Sequence, residues 1–348
     1  MADSGLGEEI LTSRKPTLVT GATGFLGKHL VERLAAGPEA KLRLLNRSPS
    51  AFDTDARVEV IRGDVTVDAD VERAVAGCGL VYHLAGFVSR DPADAPKLHR
   101  IHVDGTRSLL EKALKHGVER VVVASSSGTI AVSRTGKVHN EESGYKETEV
   151  ARWAYYVSKI AEEKLALDLH ASSKLPVVIA NPSLLLGPGD DRNSSTGDII
   201  DFLEGQVLSL PGGGLNFVDA RDCAAGLVAA MERGRPGERY LFGGVNWTCA
   251  EFTRHLAKLA GRGVPLFSSP TWLSLLSAPI LRKAMPLIGR KFTIDDETIE
   301  MSGMFWYCDS SKAQRELGFT TRDPLETLRD TLEDIYRRRP ELQRNRAG

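Results

Sequence analysis

Short apolar runs alternate with longer amphipathic segments along the first half of the chain. The apolar runs have the length of buried strands and lie at 18–20, 42–45, 58–61, 80–84, 120–124 and 177–180. Segments with helical length and spacing separate most of them, at 25–36, 67–76, 96–116 and 151–171. Strands that alternate with helices predict an α/β fold, in which a doubly wound parallel sheet is covered by helices on both faces.

The alternation ends after residue 181, where proline and glycine become frequent, as in the PGGG run at 211–214. Two further strands are predicted at 215–218 and 238–242, and both are expected to return to the sheet or its edge. The other segments predict helices at 249–260, 271–288, 294–302 and 324–338. We therefore expect a smaller lobe over 182–340, built above the carboxyl ends of the strands.

The composition excludes several classes of partner. A net charge of -1 over 348 residues gives no bulk attraction for nucleic acid. The chain has no run of about 20 apolar residues, so no stable membrane insertion is expected. Residues 1–15 are polar and lack the apolar core of a secretory signal, which predicts a flexible tail and a cytoplasmic protein. The four cysteines are far apart, and neither a disulfide framework nor a metal site is predicted.

Three glycines, Gly21, Gly24 and Gly27, occur between the first predicted strand and the first predicted helix, in the sequence TGATGFLG. In a doubly wound sheet this turn is where a pyrophosphate binds, because glycine lets backbone N–H groups approach the phosphates at a helix N-terminus. The position of the turn therefore predicts a dinucleotide site.

The turn resembles the T-G-x-x-G-x-x-G motif of the short-chain dehydrogenase/reductase superfamily. Further motifs of its extended branch follow in order: GDVT at 63–66, HLAG at 83–86, SSSGTIA at 125–131, YYVSK at 155–159, NPSLLLGPGD at 181–190, FVDARDCAAG at 217–226 and SSKAQRELGF at 310–319. The resemblance implies a Rossmann domain over 16–181 with returns near 215–245, and a substrate-binding lobe over 182–340. It also implies a small-molecule substrate and a homodimer formed through helices 96–116 and 151–171.

The same resemblance implies which residues bind NADP or NAD. They are the turn residues Gly21, Thr23, Gly24, Phe25, Leu26 and Gly27, with Asn46 and Arg47 after the second strand. Asp64 and Val65 are expected at the adenine, and Leu84, Ala85 and Gly86 along the pyrophosphate and ribose. Near the nicotinamide the resemblance implies Tyr155, Lys159, Pro182, Ser183 and Leu185, with Pro182 breaking the sixth strand.

The end of the second strand favours NADP over NAD. A carboxylate there would accept hydrogen bonds from the ribose 2′-hydroxyl and favour NAD, but Asn46 occupies the position. Arg47 follows, and a guanidinium can pair with the 2′-phosphate through charge-assisted hydrogen bonds. A solvated surface charge is the other interpretation of Arg47.

Tyr155 and Lys159 are the predicted catalytic pair. A residue four positions later on a helix lies on the same face, where an ammonium can lower the pKa of a phenol. Tyr156 is the alternative, but the Y-x-x-x-K spacing of the family selects Tyr155. The resemblance also implies a serine that orients the substrate oxygen: Ser127 is favoured, Ser126 is the second choice and Thr129 a weaker one.

Departures from the family pattern reduce the number of reaction classes that the sequence supports. Gly128 and Thr129 stand where sugar-nucleotide dehydratases carry an Asp-Glu pair, and Asn46 replaces the acid typical of epimerases. The sequence most resembles the dihydroflavonol reductase and 3β-hydroxysteroid dehydrogenase groups. It predicts hydride transfer to or from a ketone or secondary alcohol of a steroid-, flavonoid- or lipid-like molecule. The alternatives are a sugar-nucleotide epimerase with tightly bound NAD and a non-catalytic dinucleotide sensor.

His102 stands where the family motif N-V-x-G-T has asparagine, and a structural polar contact is favoured over a catalytic base.

Two segments of the smaller lobe have alternative interpretations. Segment 264–292 carries an apolar helical stripe of Trp272, Leu273, Leu276, Ile280 and Leu281, which predicts core packing. The alternative is a wall over an apolar substrate, or a lid that contacts a membrane surface. Arg233, Arg235 and Arg239 are either solvated charges or a clamp for a nucleotide diphosphate.

Overall fold

A seven-stranded parallel sheet forms the centre of the protein. The computed structural model describes residues 15–37, 40–288 and 292–344, so the predicted tail lies outside the described residues except for Lys15. The strand order is β3-β2-β1-β4-β5-β6-β9, which is doubly wound as expected. The strands are β1 Thr17–Thr20, β2 Leu42–Asn46, β3 Val58–Arg62, β4 Leu80–His83, β5 Arg120–Ala124, β6 Val177–Pro182 and β9 Arg239–Phe242.

Helices cover both faces of this sheet and create two apolar layers. On one face Leu30 and Val31 of α1 pack with Leu227 of α8. On the other face Val71 of α2 and Leu109 of α4 contribute to a second cluster. The helices are α1 Phe25–Ala35, α2 Asp68–Val75, α3 Ala95–His99, α4 Gly105–Lys115, α5 Glu147–Val150, α6 Ala154–Ser173 and α8 Ala220–Arg233. Because both faces are covered, the central strands are apolar along most of their length, which is why they were recognisable from sequence, whereas the edge strand β3 has no buried residue.

The predicted helix 96–116 is interrupted. A π-helical segment, Arg100–Asp104, joins α3 to α4, and all three of Ile101, His102 and Val103 are buried in it. π-helical segments are often associated with functional sites. Here the segment carries His102 against α6.

The smaller lobe contains a second, four-stranded sheet, which corrects one prediction. The strand predicted at 215–218 does not return to the large sheet but becomes β8 Gly214–Asp219, between β7 Leu184–Leu186 and β10 Val245–Thr248. The fourth strand is β11 Phe305–Trp306, which also pairs with β8. Phe217 of β8 is buried in the core of this lobe with Leu256 and Leu332. The apolar run at 215–218 therefore packs against helices of the smaller lobe and not against the large sheet.

Pro182 does not break the sixth strand, contrary to the prediction. It is the last residue of β6 and lies opposite Phe242 of β9. A proline is tolerated at this position because the next ladder bond is donated by the N–H of Ser183, to the carbonyl oxygen of Phe242.

The remaining helices of the lobe are α7 Gly197–Leu203, α9 Cys249–Ala260, α10 Thr271–Ala284, α11 Asp296–Ser302, α12 Ser311–Leu317, α13 Pro324–Arg338 and α14 Glu341–Arg344. The predictions at 249–260 and 324–338 are confirmed at both ends. Among the described residues, no helix is both long and apolar enough to cross a lipid bilayer.

Candidate active site

A cavity of about 1430 Å³ lies where the carboxyl ends of the large sheet face the smaller lobe. The glycine turn, the serines after β5 and the first turn of α6 line one side, and residues of α7, α9 and α10 line the other. Ligand cavities in proteins are typically about 300–1,000 Å³. The volume is therefore sufficient for a dinucleotide and a second molecule together.

The glycine turn has the geometry of a phosphate cradle. Gly21 has φ +72°, in the left-handed region, and a Cβ there would come within 2.6 Å of the Leu84 carbonyl carbon. A Cβ on Gly27 would overlap the carbonyl oxygen of Gly21. Gly24 is the N-cap residue of α1, and because glycine has no side chain, it cannot cap the first N–H groups of the helix. A ligand in the cavity can therefore accept hydrogen bonds from these groups. These features fit a bound pyrophosphate.

Most of the predicted cofactor residues line the cavity, and four do not. Those in the lining are Gly21, Thr23, Gly24, Phe25, Leu26, Gly27, Arg47, Leu84, Gly86, Tyr155, Lys159, Pro182, Ser183 and Leu185. The other four are Asn46, Asp64, Val65 and Ala85. Asp64 lies at the margin, where its carboxylate is 3.5 Å from the guanidinium of Arg47. Cofactor contacts by these four residues stay predictions.

Unpaired polar atoms occur at two of the predicted positions. Both the Nδ2 and the Oδ1 atoms of buried Asn46 lack a hydrogen-bond partner, as does the Oγ atom of Ser183. A buried polar atom without a partner costs about 1–3 kcal/mol. A ligand that offers hydroxyl and amide groups would remove this cost, so the two positions fit a dinucleotide.

Tyr155 lies in the first turn of α6, with its phenol directed to the serines after β5. The Ser126 hydroxyl lies near enough to the phenol to affect its pKa. Burial raises the pKa of Tyr155, the charge of Glu162 raises it further, and the Ser126 hydroxyl lowers it. The balance is a phenol that keeps its proton at neutral pH, which is the form that can act as an acid.

The rival, Tyr156, is held differently. Its ring stacks on Trp306 with a centroid separation of 5.0 Å, and it meets Trp153 edge-on. Tyr156 also lines the cavity, but its ring is held in this aromatic cluster, whereas Tyr155 lies near Ser126 and one turn before Lys159. The choice of Tyr155 over Tyr156 stays a prediction.

The hydroxyl groups after β5 have separate partners. Ser125 and Thr129 donate to the carboxylate of Glu163, which directs both away from Tyr155. Ser126 is the serine whose hydroxyl lowers the pKa of Tyr155, whereas Ser127 begins a short 3₁₀ turn at Ser127–Thr129 and also lines the cavity. This favours Ser126, the second choice from sequence, and the roles of both serines stay predictions.

Lys159 is buried one turn after Tyr155 and its ammonium has two acceptors. It donates to the Ala124 carbonyl oxygen at 3.0 Å and to a carboxylate oxygen of Glu162 at 2.7 Å. The pair is buried on both sides. Burial raises the pKa of Glu162, and the contact with Lys159 opposes that rise. Glu162 was not predicted, although its i, i+3 spacing from Lys159 was the available signal.

A chain of hydrogen bonds runs from Glu162 to the first strand. Thr106 donates to Glu162 at 3.0 Å, so its oxygen accepts from Nε2 of His83, at 2.9 Å. Nδ1 of His83 then accepts from the hydroxyl of Thr20, at 2.8 Å. Burial and the charge of Lys159 lower the pKa of His83 to about 3, so the imidazole is neutral.

His102 is a structural contact, as the sequence favours. Its Nε2 accepts from the N–H of Phe87, which leaves the proton on Nδ1 to be donated to Ser158. Burial, with the charge of Lys159, lowers the pKa of His102 to about 2. The neutral ring fastens the segment after β4 to α6 and is not a base.

The three arginines at 233–239 do not line the cavity. Arg233 donates to the Leu317 carbonyl oxygen, Arg235 pairs with Glu316, and Arg239 donates to the Tyr145 hydroxyl. The structure therefore gives no support to a nucleotide-diphosphate clamp. A different arginine, Arg90, spans the cleft and pairs with Asp198 of α7 at 2.9 Å.

A doubly wound sheet whose glycine turn, Tyr-Lys pair and serine meet in one cavity defines a nicotinamide-dependent oxidoreductase of the short-chain type. The chain belongs to the NAD dependent epimerase/dehydratase family, whose profile matches residues 17–243.

Two curated relatives and one crystal structure are similar over most of the chain. A Synechocystis protein named provisionally as a dihydroflavonol 4-reductase is 34% identical, over 90% of this chain and 92% of its own. Sterol demethylase protein B of Methylococcus capsulatus is also 34% identical, over 87% of this chain and 92% of its own. The crystal structure of gox2253 superposes with a TM-score of 0.80 and 29% identity, covering 94% of this chain and 99% of that one.

Proposed function

We propose that the protein transfers hydride between NADP(H) and a ketone or secondary alcohol of a hydrophobic small molecule. The observation that carries the proposal is the arrangement of Tyr155, Ser126 and Lys159 in the wall of one cavity, with Lys159 one turn after Tyr155. The names of the two curated relatives support a flavonoid-like or sterol-like substrate.

The bound nicotinamide would supply or accept the hydride. Tyr155 delivers the proton to the oxygen that becomes the alcohol, because its raised pKa keeps it protonated at neutral pH. Ser126 orients the same oxygen through its hydroxyl. Lys159 would hold the ribose hydroxyls of the cofactor and favours the phenolate left after proton transfer, while Glu162 holds the ammonium of Lys159 in place.

The lobe side of the cavity supports an apolar substrate. Its lining includes Val207, Leu256, Leu281 and Met304, with hydroxyls from Ser209 and Ser274 between them. Large apolar walls with a few polar groups are typical of sites for hydrophobic small molecules. Because the arginines at 233–239 make their contacts outside this lining, a sugar nucleotide is the weaker candidate.

Replacing Tyr155 with phenylalanine tests the proposal. We expect kcat with a ketone substrate to fall by about a thousandfold or more, since general acid catalysis and oxygen alignment are lost together. NADPH affinity, measured by calorimetry, should stay within about twofold because the ring remains. Tyr156→Phe is the matched control and should keep most of its activity. Unchanged turnover by Tyr155→Phe would reject the assignment.

The same assay distinguishes the two serines. Ser126→Ala should lower kcat by about a hundredfold, since one donor to the developing oxyanion is lost. Ser127→Ala should lower it much less. The reverse order would return the oxygen-orienting role to Ser127.

The substrate class is tested with NADPH and panels of steroid, flavonoid, long-chain ketone and sugar-nucleotide compounds. Oxidation of NADPH by one of the first three panels supports the proposal. Protein that carries stoichiometric NAD and responds only to sugar nucleotides would instead identify an epimerase. Dinucleotide binding without turnover in any panel would favour a sensor.

Arg47 is the basis for preferring NADP. It lines the cavity after β2, its side chain is exposed, and its contact with a protein carboxylate is the 3.5 Å ion pair with Asp64, which a 2′-phosphate could replace. Arg47→Ala should raise KM for NADPH about tenfold and KM for NADH less than about twofold, since a charged hydrogen bond contributes about 1.5–3 kcal/mol. Arg134→Ala, an exposed arginine outside the lining, is the control. Equal effects on the two cofactors would contradict the preference for NADP.

A further inference from the structure

Helix α10 presents its large apolar side chains to the outside of the protein. Trp272, Leu276 and Ile280 follow one another at i, i+4 and i+8, and they are 63%, 66% and 67% exposed. Leu273 beside them is also exposed, and Ala278 is the helix's buried residue. We call Trp272, Leu273, Leu276 and Ile280 the outer apolar face. Core packing, the first interpretation of this stripe, is therefore wrong for these four residues.

The opposite side of the same helix is more polar. Thr271, Ser274 and Ser277 line the cavity, and the Ser274 hydroxyl lies 2.7 Å from that of Ser269. A surface helix of a water-soluble protein normally has the reverse arrangement, with its apolar side inward and its polar side in water. Helix α10 is thus matched to an apolar environment outside the protein.

Apolar exposure continues on both sides of the helix. Leu266 and Phe267 before it are 90% and 68% exposed, and Leu287 after it is 86% exposed. An apolar surface of this extent is unusual on a protein that meets only water, and such surfaces mark interaction sites.

The charge around this surface identifies the partner. Helix α10 itself contains two basic residues, Arg282 and Lys283, and no aspartate or glutamate. Lys283 lies on the outer apolar face, seven residues after Leu276, and is exposed. Arg282 is paired with Asp296 of α11 and adds no free charge. An apolar stripe that ends in an exposed lysine suits a surface with anionic headgroups above hydrocarbon.

We propose that the outer apolar face of α10 binds the surface of an anionic lipid bilayer, with the helix lying in the plane of the interface. A second copy of the chain fits less well, because helix α10 carries no carboxylate that could pair with the Lys283 of another copy across a two-fold contact. The proposal concerns binding to the surface and needs no spanning segment.

The position of α10 connects this surface to the cavity. Its inner side lines the cavity while its outer side contacts lipid, so a lipid-dissolved substrate would reach the site from beneath the helix. This consequence for the substrate rests on the proposed function. The membrane contact does not, and it is measured without substrate or cofactor.

Co-sedimentation of the full chain with lipid vesicles tests the proposal. The wild type should bind mixed vesicles, made of equal amounts of phosphatidylcholine and phosphatidylglycerol. It should bind vesicles of pure phosphatidylcholine more weakly. The triple variant Trp272→Ser, Leu276→Ser, Ile280→Ser should lose affinity for the mixed vesicles by about tenfold or more, because apolar burial drives interfacial binding. Lys283→Glu should weaken binding to the mixed vesicles and leave binding to phosphatidylcholine unchanged.

Matched controls use exposed residues elsewhere. The double variant Val67→Ser, Val138→Ser removes exposed apolar groups outside α10. The variant Lys137→Glu reverses an exposed charge. Both control variants should bind the vesicles as the wild type does. Thermal melting checks that each variant is folded. Absence of binding by the wild type, or equal binding by a folded triple variant, would overturn the proposal. So would a dimer in ultracentrifugation that the triple variant dissociates while vesicle binding persists.

Discussion

At the scale of single residues, the site contains a buried ion pair, Lys159 and Glu162, of which only Lys159 belongs to the Y-x-x-x-K motif. Lys159 has a carboxylate partner, Glu162, three residues beyond the end of the Y-x-x-x-K motif. That carboxylate raises the pKa of Tyr155, whereas an ammonium alone would lower it. On the proposed function, we expect Glu162 to act through Lys159 and Tyr155 as a positioning residue that affects the pH range of the reaction.

Glu162→Gln should lower the pKa of Tyr155, since a negative charge that opposes phenolate formation is removed. Alcohol oxidation needs the phenolate, so its kcat/KM should reach half of its maximum at a pH lower by roughly one unit. The measurement is the pH profile of kcat/KM in the oxidation direction. Glu147→Gln removes a surface carboxylate paired with Lys164 and should leave the profile unchanged. A profile shifted to higher pH would contradict the role of Glu162.

The consecutive serines show where sequence reasoning reaches its limit. Ser125, Ser126 and Ser127 are chemically identical, and their spacing does not say which one faces Tyr155. The choice is made by Glu163, which takes the hydroxyl of Ser125, and by the tight turn that starts at Ser127. Both are tertiary features, so the motif predicts the group of serines but not its order of importance.

At the scale of elements, the first strand, the glycine turn and α1 form one close-packed unit. The overlap that a Cβ on Gly27 would create is with backbone, which cannot rotate away as a side chain can. The requirement for glycine is therefore structural as well as a condition for binding phosphate.

Gly27→Ala should lower the free energy of unfolding by about 2 kcal/mol or more, because overpacking against fixed backbone is not relieved by rotamer changes. Urea denaturation measures this, and calorimetry should show weaker binding of NADPH as the turn is displaced. Gly263→Ala is the control, since a Cβ there has no neighbour within 4 Å and φ is ordinary. Equal stability of the two variants would show that the turn can adjust.

Elements of the large sheet were predictable because its central strands are buried on both faces and most of its helices have one apolar side. The second sheet was not, because its strands are two to six residues long and are defined by pairing partners distant in sequence. The π-helical segment was also missed, since 3.6-residue periodicity does not distinguish it from an ordinary turn of α-helix. Helix α10 shows a related limit: periodicity detects an apolar face but does not tell whether that face points inward.

At the scale of the whole molecule, the two sheets share one continuous chain in an interleaved order. After β6 the chain contributes β7 and β8 to the smaller sheet, returns to the large sheet as β9, and leaves again as β10. Arg90 and Asp198 join the two parts across the mouth of the cavity. The predicted boundary at 181 thus marks a change in sequence pattern, while the large sheet needs residues on both sides of it.

The late return of β9 affects how the protein is made. Strand β6 can pair with β5 early in synthesis, but its other edge pairs with β9. That edge stays unpaired until the nascent chain has grown past Phe242. An apolar strand with free backbone groups can then associate with other chains. We therefore expect the large sheet to close only after translation has passed its seventh strand.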